Sequence, residues 1–94
     1  MANNLKVNPI YLDVFSSDIE ISLVPIYVKS IKFVGVGADD KLVLEDVDGV
    51  SVATIKLPTA KDSIMEYYDH RFNGLVCDVS DGTYTALSCV YIYL

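Results

Sequence analysis

Hydrophobic and polar residues alternate with a period of two along most of the chain. At the carboxyl end, aliphatic residues alternate with tyrosines in the run Val-Tyr-Ile-Tyr-Leu at 90–94. Successive side chains of a strand point to opposite faces, and β-branched and aromatic residues favour strands. The pattern therefore predicts a strand over residues 84–94, with Val90, Ile92 and Leu94 on one face and Tyr91 and Tyr93 on the other.

The same period predicts further strands upstream, each bounded by glycine, proline, serine or aspartate. These strands cover residues 7–12, 19–23, 26–36, 41–45, 50–57 and 72–79. Pro9 and Pro25 indicate edge positions or bends, because proline has no N–H to donate within a sheet. An irregularity is expected near Ser30, inside the longest of these strands.

Two Asp-Gly turns predict hairpins between neighbouring strands. One is Asp-Val-Asp-Gly at 46–49, and the other centres on Asp81 and Gly82. Asp-Gly suits such turns because both residues tolerate a positive φ. The sequence thus predicts that strand 72–79 pairs directly with strand 84–94.

The register of the second hairpin bears on the two cysteines. It sets Cys77 opposite Ala86 and Cys89 near Gly74, so the cysteines do not face each other. We therefore expect two buried thiols in apolar surroundings and no disulfide.

Residues 61–70 are ambiguous by pattern. Ser63 and Glu66 have the spacing of a capping box, which would begin a short helix. The all-β surroundings favour a strand. About seven short strands then predict an all-β fold, a single small antiparallel β-sandwich or barrel that forms one domain over residues 1–94.

Composition suggests that part of the apolar surface is covered by something else. Hydrophobic residues make up 52% of the 94-residue chain, which has seven tyrosines and no tryptophan. Average domains are about 45–50% apolar even when glycine is counted. Small domains have much surface per residue, so a partner or another copy would cover the excess. A tight sandwich with half-exposed tyrosine rims is the alternative.

Charge argues against several partners. The chain has thirteen acidic residues and seven scattered basic ones, which give a formal net charge of −6. Nucleic acids and anionic membranes attract clustered Lys and Arg, so neither is an expected partner. The most apolar stretch, 23–36, is interrupted by Pro25, Lys29 and Lys32, and no membrane span is expected. The first residues do not resemble a signal peptide, and we expect folding in the cytoplasm with reduced thiols.

Candidate catalytic and metal-binding groups are few. His70 is the only histidine, and its nearest nucleophile, Cys77, lies in an apolar strand where burial opposes activation. Asp46 and Asp48 resemble the start of a calcium loop, but a strand follows where further ligands are required. Asp39-Asp40 is expected to join this acidic end, which leaves calcium between the loops open. The sequence predicts no enzyme, no cofactor and no metal site.

Tyrosine is the chemistry that remains. It offers a large contact area at low entropy cost and is enriched at interfaces. The terminal strand and the first strand supply the candidate interface residues, which are Ile10, Tyr11, Tyr91 and Tyr93.

Three stretches together resemble small virion proteins of tailed bacteriophages. They are Leu-Lys-Val-Asn-Pro-Ile-Tyr-Leu-Asp at 5–13, Phe-Asn-Gly-Leu-Val at 72–76 and the terminal run at 90–94. The resemblance implies a β-sandwich that decorates or cements a capsid in many copies, bound to the major capsid protein, to further copies of itself, or to both. It implies a virion location, after synthesis in the host cytoplasm, and no catalytic residues. The family often has Trp where this chain has Phe33.

Two other functions stay open at this point. One is a tail or neck connector, which would use the same β-surfaces to build a ring. The other is a carbohydrate-binding or host-adhesion module, which would need exposed aromatic residues beside acids and amides.

Overall fold

A computed structural model describes residues 3–35, 40–57, 63–80, 82–84 and 88–94. This part of the chain contains eight strands and no helix. They are β1 (Ile10–Leu12), β2 (Ile19–Ser22), β3 (Ile26–Val34), β4 (Lys41–Glu45), β5 (Ser51–Lys56), β6 (Ser63–Phe72), β7 (Leu75–Cys77) and β8 (Cys89–Tyr93). The strand predicted over 61–70 is confirmed as β6 from Ser63 onward, whereas residues 61 and 62 lie outside the described residues.

The strands form two antiparallel sheets of four. Sheet A has the order β1-β8-β3-β6, and sheet B has the order β2-β7-β4-β5. The two sheets pack face to face over one hydrophobic core. The predicted all-β antiparallel sandwich is confirmed, with eight strands in place of about seven.

Rows of aliphatic side chains from adjacent strands build the core. In sheet A, Ile10 lies opposite Ile92, and Ile92 lies opposite Ile31. All three are buried, as are Leu42 and Leu44 of sheet B. Full burial of one such side chain stabilises the fold by about 1.5–3 kcal/mol relative to exposure.

The hairpin at 46–49 is confirmed. β4 and β5 pair antiparallel, the Asp46 N–H donates to the Val50 carbonyl at 3.0 Å, and Gly49 has a φ of +80°. The Asp46 side chain also accepts from the N–H groups of Asp48 and Val50. The local turn signal was correct here because β4 and β5, which are consecutive in the chain, are also adjacent in sheet B.

The irregularity expected near Ser30 is a β-bulge between β3 and β6. Val28 pairs with His70 and Ser30 with Tyr67, so β6 has one residue more than β3 in this interval. Asp69 takes a φ of +49°, which Asp tolerates better than most residues. The Tyr27 hydroxyl donates to its carboxylate at 2.7 Å.

The amino-terminal segment lies along the outer edge of β1. The predicted strand 7–12 is shorter than expected, beginning at Ile10 after a cis bond between Asn8 and Pro9. The edge position predicted from Pro9 is confirmed, and the segment folds back so that Asn4 pairs with Tyr11. The Asn3 side-chain oxygen accepts from two backbone N–H groups just beyond β1.

The predicted pairing of strands 72–79 and 84–94 is wrong. β7 pairs with β2 and β4 in sheet B, whereas β8 pairs with β1 and β3 in sheet A. Thr83 bridges to Lys41 of sheet B, whereas Cys89 begins β8 in sheet A. Asp81 and Ala86, on which the predicted register depended, lie outside the described residues.

Both cysteines are free, as expected, but for a different reason. They belong to different sheets, with Cys77 fully buried and Cys89 only half-buried. The expectation of two buried thiols is therefore correct for Cys77 alone.

Asp40 does not join the acidic end as expected. It precedes β4, whereas Asp46 follows that strand, so the two lie at opposite ends of the sandwich. Asp40 is only 1% exposed, and the Ser88 hydroxyl donates to its carboxylate at 3.2 Å. Asp39 lies outside the described residues.

Candidate functional site

One row of side chains crosses the outer side of sheet A from edge to edge. Tyr11 lies opposite Tyr91, Tyr91 opposite Lys32, and Lys32 opposite Met65. In the neighbouring row, Ile10, Ile92 and Ile31 are buried in the core. Adjacent residues of a strand point to opposite faces, so this row points away from the core.

A second row adds two further tyrosines. Tyr93 and Tyr67 flank Ser30 on either side in register. Tyr67 is 81% exposed, whereas Ser30 between them is 7% exposed. We call the outward residues of these two rows the tyrosine face, which consists of Tyr11, Lys32, Met65, Tyr67, Tyr91 and Tyr93.

The tyrosine face is partly ordered by contacts between its own rings. The Tyr11 and Tyr91 ring centroids are 5.1 Å apart and their planes are tilted by 54°. Such offset pairs contribute about 0.5–1.5 kcal/mol beyond the area they bury. The Tyr11 and Tyr91 rings thus hold each other partly in place.

The tyrosine face is uncharged apart from Lys32. Burial, followed by the negative charge of Asp13, raises the pKa of Tyr11. Electrostatic interaction with Cys89, followed by burial, raises the pKa of Tyr91. Both hydroxyls therefore stay protonated at neutral pH, where they can donate and accept hydrogen bonds.

The four candidate interface residues divide between the two sides of sheet A. Ile10 is 2% exposed and packs in the core, so a partner cannot reach it. Its selection was an error, since Ile10 and Tyr11 are adjacent in a strand and must face opposite ways. Tyr11, Tyr91 and Tyr93 lie together on the tyrosine face, and their role in an interface stays a prediction.

The candidate Cys–His pair is not assembled. His70 is exposed on β6. Its ring packs edge-on against Phe72, with 5.1 Å between the two ring centroids. Cys77 lies in the other sheet, and its sulfur contacts the Tyr84 hydroxyl at 3.4 Å. Burial raises the pKa of Cys77 to about 11, which disfavours the nucleophilic thiolate.

Among the described residues, no group of three or more His, Cys, Asp or Glu side chains could hold a metal ion. In that same part of the chain, no helix is long and apolar enough to cross a membrane.

A second exposed apolar surface was missed by sequence reasoning. It lies at the end of the sandwich where β2 connects to β3 and β4 turns into β5, and we call it the apolar tip. Its residues are Leu23, Val24, Val47 and Val50, which are 42–66% exposed. The available signal was aliphatic residues placed within turns, beside Pro25 and Asp48-Gly49, where polar residues are usual.

Comparison with protein-family models, with curated proteins and with solved structures finds no match to this chain.

Proposed function

We propose that this protein is a non-enzymatic structural protein of a bacteriophage particle, a decoration or cement protein that binds the outer surface of the head. The observation that carries the proposal is the row Tyr11, Tyr91, Lys32 and Met65, which spans all four strands of sheet A. The resemblance of segments 5–13, 72–76 and 90–94 to small virion proteins is the reason for proposing that the protein belongs to a bacteriophage particle.

The composition of the tyrosine face supports binding to a protein surface. Tyrosine, methionine and other large side chains are enriched in the buried centres of interfaces, where charged residues are depleted. The face is the outer side of a sheet, and no catalytic group lies on it. A broad, shallow partner surface such as a capsid lattice would cover it.

Lys32 favours the major capsid protein over a second copy as the partner at this face. A symmetric face-to-face contact between copies would bring two Lys32 side chains close together, since the residue lies within the row. Like charges brought together in an interface cost free energy. A capsid surface with an acidic group opposite Lys32 would instead pair with it.

Heads assembled without this protein provide the test. Replacing Tyr91 and Tyr93 together by Ser should abolish co-sedimentation with such heads. A second variant, Lys32→Glu, reverses the charge within the row and should also weaken binding. Tyr27→Ser serves as the matched control, because Tyr27 is an exposed tyrosine outside the tyrosine face.

Circular dichroism and chemical unfolding establish that each variant is folded. Undiminished binding by both folded variants would refute the assignment. Light scattering that revealed a closed ring in solution would favour a tail or neck connector instead. Specific binding on a glycan array, lost in the tyrosine variant, would favour a host-adhesion module.

A further inference from the structure

The two loops that form the apolar tip pack against the same glycine, Gly74. A Cβ placed on Gly74 would lie 2.2 Å from Val47 Cγ1 and 3.0 Å from the Ser22 carbonyl oxygen. The β4–β5 hairpin and the end of β2 therefore both pack against Gly74. The Val47 N–H also donates to the Asn73 carbonyl at 3.1 Å.

Hydrogen bonds hold both loops of the tip in shape. The Ser22 hydroxyl donates to the Val24 carbonyl at 2.8 Å and so closes the turn before Pro25. In the hairpin, Asp46 accepts from the N–H groups of Asp48 and Val50. The exposed aliphatic side chains are thus pre-organised, which lowers the entropy cost of binding.

An open hollow borders the tip directly. It is lined by Pro25, Arg71, Phe72 and Asn73 and has a volume of about 220 Å³. Pro25 follows the tip residue Val24 in the chain. The Asn73 side chain reaches Asp48 of the hairpin at 3.4 Å. An exposed apolar surface and an open hollow therefore lie side by side at one end of the molecule.

We propose that two copies of this chain associate through this end about a two-fold axis. The tip of each copy, led by Leu23 and Val24, occupies the hollow of the other. A two-fold interface uses the same surface patch on both subunits. A patch that contains both the tip and the hollow can therefore pair with an identical patch. The same rotation brings Arg71 of each copy towards Asp48 of the other.

Charge supports a second copy as the occupant. Among the described residues, Arg71 has no acidic partner within its own chain, although it lines the hollow. The hairpin contributes Asp46 and Asp48 to the same end. Each copy thus carries both signs of charge at this end. The two-fold contact would pair Arg71 of each copy with Asp48 of the other.

Other occupants fit less well. The hollow is smaller than the roughly 300–1,000 Å³ of typical small-molecule sites. Membrane-binding surfaces combine Trp or Tyr with Lys and Arg. The four tip residues are all aliphatic, and they lie beside Asp46 and Asp48 as well as beside Arg71 of the hollow. None of the six residues of the tyrosine face belongs to the tip or lines the hollow, so the dimer does not depend on the proposed function.

Sedimentation equilibrium over a wide range of protein concentration tests the dimer. The unmodified chain should show a monomer–dimer equilibrium. Val24→Asp should weaken dimerisation by about tenfold or more, the loss expected when a central apolar contact is replaced by a buried charge. Val24 is exposed in the monomer, so this variant should keep its fold.

A charge exchange tests the geometry. Arg71→Glu and Asp48→Lys should each weaken the dimer, whereas the double variant should recover much of the loss. Lys32→Glu is the matched control, a charge reversal on the tyrosine face that should leave dimerisation unchanged while weakening attachment to heads.

A chain that stays monomeric at all concentrations would overturn the proposal. So would a dimer that Val24→Asp leaves intact, or a double charge variant that shows no recovery. Binding to phosphatidylcholine vesicles that is lost in Val24→Asp would assign the tip to a membrane instead.

Discussion

The Tyr84 hydroxyl lies 3.4 Å from the Cys77 sulfur and accepts a hydrogen bond from the Val43 N–H at 3.3 Å. Its ring stacks on Phe15 with a centroid distance of 4.3 Å and nearly parallel planes. Tyr84 therefore ties the segment after β7 to both β4 and β7. Burial raises the pKa of Cys77 to about 11, and burial also raises the pKa of Tyr84 well above its ordinary value.

This pair predicts a loss of stability in alkaline solution. An unfolded Cys77 thiol ionises near its ordinary pKa of 9.0, whereas the folded thiol keeps its proton up to about 11. Between these values the folded state binds more protons, so the free energy of unfolding must fall as pH rises, by about 1.4 kcal/mol per pH unit for one proton. Tyr84 adds to the fall above its ordinary pKa of 10.0.

Urea unfolding at several pH values on either side of 9 measures the slope. Cys77→Ser removes the titrating thiol, so the variant should lose stability less steeply with pH than the unmodified chain. Equal slopes in the two proteins would contradict this account.

The two thiols should differ sharply in reactivity below pH 9. Cys77 is fully buried with a raised pKa, whereas Cys89 is half-buried at the start of β8. A thiol reagent should therefore modify one cysteine in the folded protein and both after unfolding. Cys89→Ser should abolish the reaction of the folded state, and mass spectrometry would identify the modified residue.

Two glycines with similar backbone angles should respond differently to alanine. Gly74 and Gly49 have φ values of +83° and +80°. Strain in this region costs about 1–2 kcal/mol for a residue with a Cβ. A Cβ at Gly49 meets nothing within 4 Å, whereas one at Gly74 collides with Val47.

Gly49→Ala should therefore lose only the backbone contribution. Gly74→Ala should lose about 1–3 kcal/mol more from overpacking. Denaturant unfolding of both variants measures the difference, and equal losses would show that Val47 moves aside freely.

Asp46 should stabilise the β4–β5 hairpin through its side-chain oxygen. That oxygen accepts from Asp48 and Val50 at 2.9 and 3.1 Å. Asp46→Ala should cost about 1 kcal/mol of unfolding free energy, whereas Asp46→Asn keeps an acceptor and should cost much less. If the two variants unfold alike, the bonds contribute nothing measurable.

The sequence was informative where the determining contacts are local. Alternation predicted the strands, and the turn at 46–49 predicted the one hairpin whose strands are consecutive. An irregularity was expected near Ser30, and the bulge between β3 and β6 lies there. The strands and the hairpin depend on residues close together in the chain, whereas the bulge also requires β6, which is distant from Ser30 in sequence.

Contacts between distant segments were beyond a local pattern. The partner of β7 is decided by packing between sheets, so an Asp-Gly signal at 81–82 could not show that the chain crosses from one sheet to the other. The local sequence predicts that Asp40 is a solvent-exposed turn residue. It is instead buried, and Ser88 from a distant segment donates a hydrogen bond to it. The hollow beside the apolar tip likewise forms from Pro25 and residues 71–73, which meet only in the fold.

The bulge at Asp69 has a consequence for growth of the sheet. β6 is an edge strand of ten residues, and a straight edge of that length would serve as a template on which further chains could add without limit. The extra residue interrupts this template and leaves a short regular run at 63–67. Glu66 lies within that run, and Asp69 and Arg71 follow, so charge further discourages a fibre. The longest edge of the two sheets is therefore poorly suited to open-ended addition of strands from other chains.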